Sequence, residues 1–203
     1  MRRISFFILE GIYWITALLF YCIKGCERNI SKSVGKIFEE NWKKSVPEDI
    51  WIYRPPDAAQ SFNQSSNLRF SSKSPCDYMM FDGNHFFCLE LKSVAGKSIS
   101  FERDKKDKGV IHYHQIEYLK SCLSFENVIP GLIIDFRGAD NTWFLHIKEW
   151  DALINSIAKK SFNELDLLSY AHPILISKKK LKINYRYDIN KFIQDVAKLE
   201  DDK

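Results

Sequence analysis

Two carboxylates and one ammonium group fall close together in the stretch CDYMMFDGNHFFCLELK. Asp77 precedes an Asp82-Gly83-Asn84 turn, and Glu90, Leu91 and Lys92 follow it. A two-residue loop folds Tyr78 to Phe81 back on His85 to Leu91 as a hairpin. If the loop is Gly83-Asn84, Asp77 lies directly across from Glu90. If it is Asp82-Gly83, Asp77 faces Cys88 and Glu90 becomes its diagonal neighbour. Either register gathers Asp77, Glu90 and Lys92 on one face, because side chains alternate along a strand. A three-residue loop sends Glu90 to the other face.

Facing carboxylates repel unless a cation lies between them. Oxygen donors in small number suit Mg²⁺, with Mn²⁺ as the alternative, better than zinc. Such an ion polarises a phosphate oxygen and acidifies a bound water, while a lysine steadies the developing negative charge. The chemistry this set would do is phosphodiester hydrolysis. The plainer alternative is a solvent-facing strand edge with an ordinary cross-strand charge pair. An acid two places before a lysine recurs at Asp104/Lys106 and Asp201/Lys203, but those pairs lie in the charged run RDKKDK and at the C-terminal end, where solvated loops are the default. Glu90 and Lys92 stand in an apolar run.

A second cluster of chemically apt residues lies near the end of the chain. Lys178, Lys179, Lys180, Lys182 and Arg186 carry no acid among them and are interleaved with Tyr185 and Tyr187. Basic groups beside aromatic rings suit a phosphate backbone with bases nearby; the alternative is a lysine-rich solvated strand. The overall net charge of +4 is modest, so this local cluster says more about a nucleic-acid partner than the total does. Five cysteines, Cys22, Cys26, Cys76, Cys88 and Cys122, form no zinc-type pairs and read as reduced residues of a cytoplasmic protein. Cys76 and Cys88 in the hairpin read as small core residues.

The elements that must hold these groups can be read from periodicity. From Ser33, SVGKIFEENWKK predicts a helix with Val34, Ile37, Phe38 and Trp42 on one stripe and Glu39 on its flank. Ile50 to Tyr53 predicts a short strand ended by Arg54-Pro55-Pro56, and a polar, serine-rich loop follows up to the hairpin. His112 to Leu123 predicts a helix with Gln115, Tyr118, Leu119 and Cys122 along one stripe. His112 and His114, two apart, point in different directions and are not read as metal ligands. Val128 to Phe136 and Thr142 to Ile147 predict strands, Lys148 to Lys159 a helix and Leu181 to Tyr187 a strand. Asp188 caps a last helix carrying Ile189, Phe192, Ile193 and Val196. With 45% apolar residues, 203 residues suffice for one α/β domain, a mixed sheet covered on both faces. Residues 1–30 are set apart as an apolar extension. The stretch 4–23 approaches the length of a membrane anchor, yet Glu10 works against a span, and no small-residue cleavage site follows it.

Taken in order, Gly35-x-x-Phe38-Glu39, Tyr53-Arg54-Pro55, Asp77-Tyr78, Glu90-x-Lys92 and His112-Tyr113-His114-Gln115-Ile116-Glu117 resemble the RecU-type Holliday junction resolvases of Gram-positive bacteria and their phages, which belong to the PD-(D/E)XK nuclease superfamily. The resemblance spans roughly Ser33 to Val196, within a single domain at 31–200. It implies a restriction-endonuclease-like mixed central sheet flanked by helices on both faces, a homodimer, Mg²⁺ dependence and nicking of branched DNA such as four-way junctions. A recombinase or branch-migration helicase would be the protein partner. By position, Asp77, Glu90 and the Leu91 carbonyl would bind the metal and Lys92 would hold or activate the attacking water. Glu39 would be the additional acid, Gln115 the polar residue on the helix behind the sheet, and Arg54 a contact to the scissile phosphate. Between Arg54 and Asp77, about residues 55–75, the stalk segment of the family is shortened and loses much of its basic character, which would loosen junction selectivity. Two alternatives stand beside this reading. One is a general repair or restriction-type nuclease of the same superfamily; the other is a membrane-associated, noncatalytic DNA-binding protein.

Overall fold

The computed structural model describes residues 33–56, 74 and 76–201. The apolar extension 1–30, with its candidate anchor, and residues 57–73 of the stalk-like loop lie outside the described residues. Among the described residues no helix is long and apolar enough to cross a membrane.

The predicted first helix forms as α1 (Val34–Lys43), started by Ser33, whose hydroxyl accepts the Lys36 N–H at 3.4 Å. There follow β1 (Trp51–Tyr53), β2 (Tyr78–Phe81), β3 (Phe86–Val94), β4 (Ser98–Ser100), α2 (Tyr113–Ser121), β5 (Val128–Phe136) and β6 (Asn141–His146). Next come α3 (Trp150–Asn155), β7 (Ser161–Asn163), α4 (Glu164–Tyr170), β8 (Ile174–Leu175), β9 (Lys178–Lys180), β10 (Tyr185–Tyr187) and α5 (Ile189–Asp201). Asp188 caps α5 as its position predicts, its carboxylate accepting the Lys191 N–H at 3.0 Å.

Six strands form the central sheet in the order β1-β2-β3-β5-β6-β8, and β3 and β5 run parallel while the other neighbours are antiparallel. The parallel pair is joined by the crossover through β4 and α2, as a parallel connection requires. β3 and β5 are buried almost throughout. On one face α1 and α5 supply Phe38, Trp42, Ile189, Phe192 and Val196 against Phe87, Leu89, Leu91 and Ile133. On the other, α2, α3 and α4 supply Ile116, Leu119, Trp150, Leu153 and Leu167 against Cys88, Leu132 and Ile134. The expected mixed sheet with helices on both faces is therefore present.

Several stretches differ from the expectation, among them the short strands Ser98–Ser100 and Ile174–Leu175. The helix predicted over Lys148 to Lys159 stops at Asn155, and Ser161–Asn163 instead pairs with β4 in a separate two-stranded sheet. Short pairings of this kind rest on contacts far apart in the chain, and local periodicity does not report them. The segment Leu181 to Tyr187 is not one strand. Tyr185 to Tyr187 pairs back on Lys178 to Lys180, with the Leu181 N–H donating to the Asn184 carbonyl at 2.7 Å. The helix Glu164–Tyr170 was not anticipated; Asn163 and Asp166 cap it reciprocally, each side chain accepting the other's backbone N–H.

Gly131 sits where β5 and β6 approach closely. A Cβ there would run into the Phe144 ring and lie 2.7 Å from the Leu145 carbonyl oxygen. Because one obstacle is backbone, the neighbours cannot simply turn away. Gly131→Ala is expected to destabilise the domain by about 1–3 kcal/mol, read as a lowered thermal midpoint; a variant melting with the parent would show that the two strands can separate at no cost.

Candidate active site

The hairpin adopts the first of the two registers that place the acids together. Tyr78 pairs with Leu89 and Phe81 with Phe86, so the next pair outward is Asp77 and Glu90. The turn is held by Asp82, whose Oδ1 accepts the Asn84 and His85 N–H groups at 2.8 and 2.6 Å, while Gly83 takes a φ of +100°. That left-handed value is open to glycine at little cost, and the chain reverses between Asp82 and His85.

Side chains alternating along β2 and β3 put Tyr78, Met80, Phe87, Leu89 and Leu91 against α1 and α5. Asp77, Glu90 and Lys92 consequently face α2. Glu90 is only 2% exposed, and its carboxyl lies within the electrostatic reach of Asp77. Lys92 Nζ lies 2.8 Å from Glu90 Oε1. The Leu91 N–H donates to Asp77 Oδ2 at 2.8 Å. Since the N–H and C=O of a strand residue point to the same side, the Leu91 carbonyl faces the Asp77 edge as well.

From α2, Gln115 completes the arrangement. Its Oε1 accepts the His112 N–H at 3.0 Å, which identifies the other end as the amide nitrogen, and that nitrogen donates to Glu90 Oε1. His112 itself is turned away, its Nδ1 at 2.8 Å from Glu102 Oε1 and its ring stacked on that of His114. Burial, and next the Asp77 charge, push the Glu90 carboxyl up to about 7, against the pull of Lys92.

The donor set fits a hard divalent cation. Asp77, Glu90 and the Leu91 carbonyl converge on the same edge, and Asp77 keeps its second oxygen outside the Leu91 bond. No group of three or more His, Cys, Asp or Glu side chains able to hold a metal exists among the described residues. That is compatible with Mg²⁺, which is commonly held by one or two carboxylates and keeps several waters.

Glu39 and Arg54 occupy the opposite face. Arg54 extends the β1 register to stand across from Tyr78, and its Nε and terminal nitrogen reach Glu39 Oε2 at 3.2 and 3.1 Å. The Tyr78 hydroxyl donates to the Glu39 carbonyl at 3.2 Å. Burial, then the Glu39 carboxylate, with Asp77 a lesser contributor, raise the Tyr78 phenol to about 12. This ion pair thus stands within electrostatic reach of the Asp77 end, with Tyr78 between the two groups.

The basic cluster divides in two. Lys179, Lys180 and Lys182 are exposed. Lys178 is not available to a phosphate: its ammonium lies 3.1 Å from Asp135 Oδ1, 3.1 Å from Thr142 Oγ1 and 3.0 Å from Asp140 Oδ1, and it covers the Tyr185 ring. Burial of Asp135, at 7% exposure, demands that cation. Ser93 and Thr142 donate to the same carboxylate at 3.1 and 2.9 Å. The sequence does not disclose Asp135 and Thr142 as partners of Lys178, because nothing in its local sequence reports residues about forty positions away. Arg186 donates to the Tyr185 carbonyl at 3.2 Å. The cysteines Cys76, Cys88 and Cys122 are free and buried, as core residues should be.

A family model described as Recombination protein U matches residues 42–191, a range that begins just after Glu39 and includes the hairpin acids, Gln115 and the basic cluster. An SPbeta prophage-derived uncharacterized protein, YotM, of Bacillus subtilis (strain 168) is 32% identical over 181 residues, covering 82% of this chain and 88% of its own length. Among solved structures, Hjc from Archaeoglobus fulgidus, a Holliday junction resolvase, is similar with a TM-score of 0.39 and 14% identity, covering 68% of this chain and 90% of its own.

Two outcomes follow from the geometry. In the metal-free protein the raised Glu90 pKa contributes stability that is full below about pH 4.5 and is lost as pH rises through about 7. Glu90→Gln should abolish that decline, worth up to about 3 kcal/mol, in denaturant unfolding with chelator at pH 5 and 8. A parent–variant difference independent of pH would contradict the buried-acid geometry. Lys178→Met should cost about 3 kcal/mol by leaving Asp135 buried without its cation, whereas Lys180→Ala should leave the melting temperature unchanged.

Proposed function

The chain belongs to the RecU, or Recombination protein U, family, and on that premise we propose that it is a divalent-metal-dependent endodeoxyribonuclease that nicks branched DNA, four-way junctions in particular. The observation that carries the reading is the buried Asp77–Glu90 pair with Lys92 on the same sheet face. Burying two facing acids costs stability, and their retention at one strand end is accounted for by a cation that both can hold. Mg²⁺ is the proposed ion, and when bound it would supply polarisation of a phosphate oxygen and a more acidic water.

The chain's own groups divide the remaining work. Gln115, anchored at its carbonyl end by the His112 N–H, fixes which way Glu90 points. The Leu91 N–H does the same for Asp77. Lys92, 2.8 Å from Glu90, would be placed to balance the charge that builds on the phosphate and to orient the attacking water. The Glu39–Arg54 pair supplies a guanidinium near the Asp77 edge, able to take a phosphate bidentately once it exchanges the acid for the DNA. Lys179, Lys180 and Lys182 add backbone contacts away from the reacting bond. Two protomers would act together, since resolving a four-way junction needs two nicks.

Purified full-length protein should nick a synthetic immobile four-way junction in Mg²⁺ and not in chelator. Asp77→Asn and Lys92→Ala should each lower cutting at least 10³-fold, on the order expected for loss of electrostatic stabilisation, with junction binding retained. Denaturing gels and a filter-binding titration read the two quantities. Cutting at the parent rate by either variant would remove the site from the mechanism, and cutting of linear duplex as well as of junctions would reduce the reading to a general nuclease.

A further inference from the structure

Ile183 is the most exposed large apolar side chain among the described residues, at 85%. A single exposed isoleucine is ordinary on a protein surface, so its setting must decide. It sits at the tip of the β9–β10 hairpin, in the two-residue loop Lys182-Ile183 closed by the Leu181–Asn184 hydrogen bond. Such loops favour glycine, asparagine or aspartate. Neither Lys182 nor Ile183 takes the positive φ that makes those residue types necessary, so the backbone accepts isoleucine there; what goes against the local rule is a large apolar side chain left in water at a loop tip, and such rules are broken chiefly at functional positions.

The surroundings of the tip are cationic. Lys179, Lys180 and Lys182 are exposed beside it, Leu181 is 40% exposed, and the segment Lys178 to Tyr187 contains no acid. The acids near the hairpin root, Asp135 and Asp140, are both engaged by Lys178, and this contact holds the Asp140 carboxyl below its usual range.

The root is also stiff, although a two-stranded ribbon is marginal by itself. Lys178 is locked to Asp135, Asp140 and Thr142. The Tyr187 N–H donates to Ser45 Oγ at 2.9 Å, and the Tyr187 ring packs on Phe38 and Trp42. The anchor reaches the strand that carries the candidate catalytic lysine: Lys178 and Ser93 bind the same Asp135 carboxylate, and Ser93 follows Lys92.

We propose that Ile183 is a wedge that inserts into the base stack of branched DNA beside the branch point, with Lys179, Lys180 and Lys182 gripping the flanking phosphates. The proposal rests on the branched-DNA reading above. Apolar side chains pushed between base steps are an established way to unstack and kink DNA, and a branch point, where stacking is already interrupted, costs least to open. The occupant is nucleic acid because an apolar tip ringed by lysines complements unstacked bases flanked by phosphates.

The test uses a four-way junction with 2-aminopurine at the branch point, bound in Mg²⁺ by full-length Lys92→Ala protein so that it is not cut. Binding should raise the fluorescence several-fold. Adding Ile183→Ala should abolish the rise, and adding Ile183→Leu should preserve it, with all three proteins melting alike. A rise that survives Ile183→Ala overturns the wedge and leaves the nuclease reading intact. Failure of the Lys92→Ala protein to prefer the junction over linear duplex of the same arms overturns both.

Discussion

The pairing of Asp77 against Glu90 across one turn is the constraint on which the rest of the site depends. Because side chains alternate along a strand, a slip by one residue would turn Glu90 and Lys92 into the α1–α5 core and bring Leu89 and Leu91 out toward α2. Two local devices prevent it: the left-handed Gly83 and the Asp82 carboxylate that closes the turn. The apolar alternation of β3 adds a third, since Phe87, Leu89 and Leu91 bury only in this register. The position of the acids is therefore set by hydrophobic burial on the face they do not occupy.

Held there, Glu90 is surrounded by groups that steer it without neutralising it fully. Gln115 offers one amide donor, Lys92 one ammonium and Asp77 an opposing charge, and burial favours the uncharged acid. On the other face at the same strand end, Asp135 meets the opposite fate, with two hydroxyls and Lys178 directed at it. Both buried acids have partners, and adjacent residues of β3, Lys92 and Ser93, serve them; Glu90 is the one whose carboxyl is pushed up, by burial and by the Asp77 charge. On the proposed reading the Asp135 cluster would hold the sheet and hairpin together, and the Glu90 cluster would carry the chemistry.

What the sequence made legible followed the range of the interaction. The hairpin, the stripe that placed Gln115 on α2 and the cap of α5 are encoded within a few residues, and all three appear in the structure. The relation of Gln115 to Glu90 came from family resemblance, for no local pattern joins residues 25 apart. Leu181 to Tyr187 was misread because Lys and apolar residues alternate straight through the turn, and neither loop position, Lys182 nor Ile183, is a turn former. Lys178 looked like its neighbours because charge in a sequence carries no sign of burial. Glu39 and Arg54 illustrate the same limit: their pairing with each other depends on how α1 crosses the sheet edge.

The small donor set has a consequence for how the proposed nuclease would recognise its substrate. Asp77, Glu90 and the Leu91 carbonyl would hold a hard divalent ion only in part, and water or phosphate oxygens would have to supply the remaining donors. Near neutral pH a proton competes for Glu90, which weakens binding of the ion to the protein alone. A phosphate seated at the Asp77 edge supplies both a further ligand and negative charge that favours the cation. On the proposed reading ion and DNA binding would be linked, each raising the affinity for the other by the same factor. Recognition far from the reacting bond, as proposed for Lys179, Lys180, Lys182 and the hairpin tip, would thereby be part of assembling the catalytic centre rather than a separate act of docking.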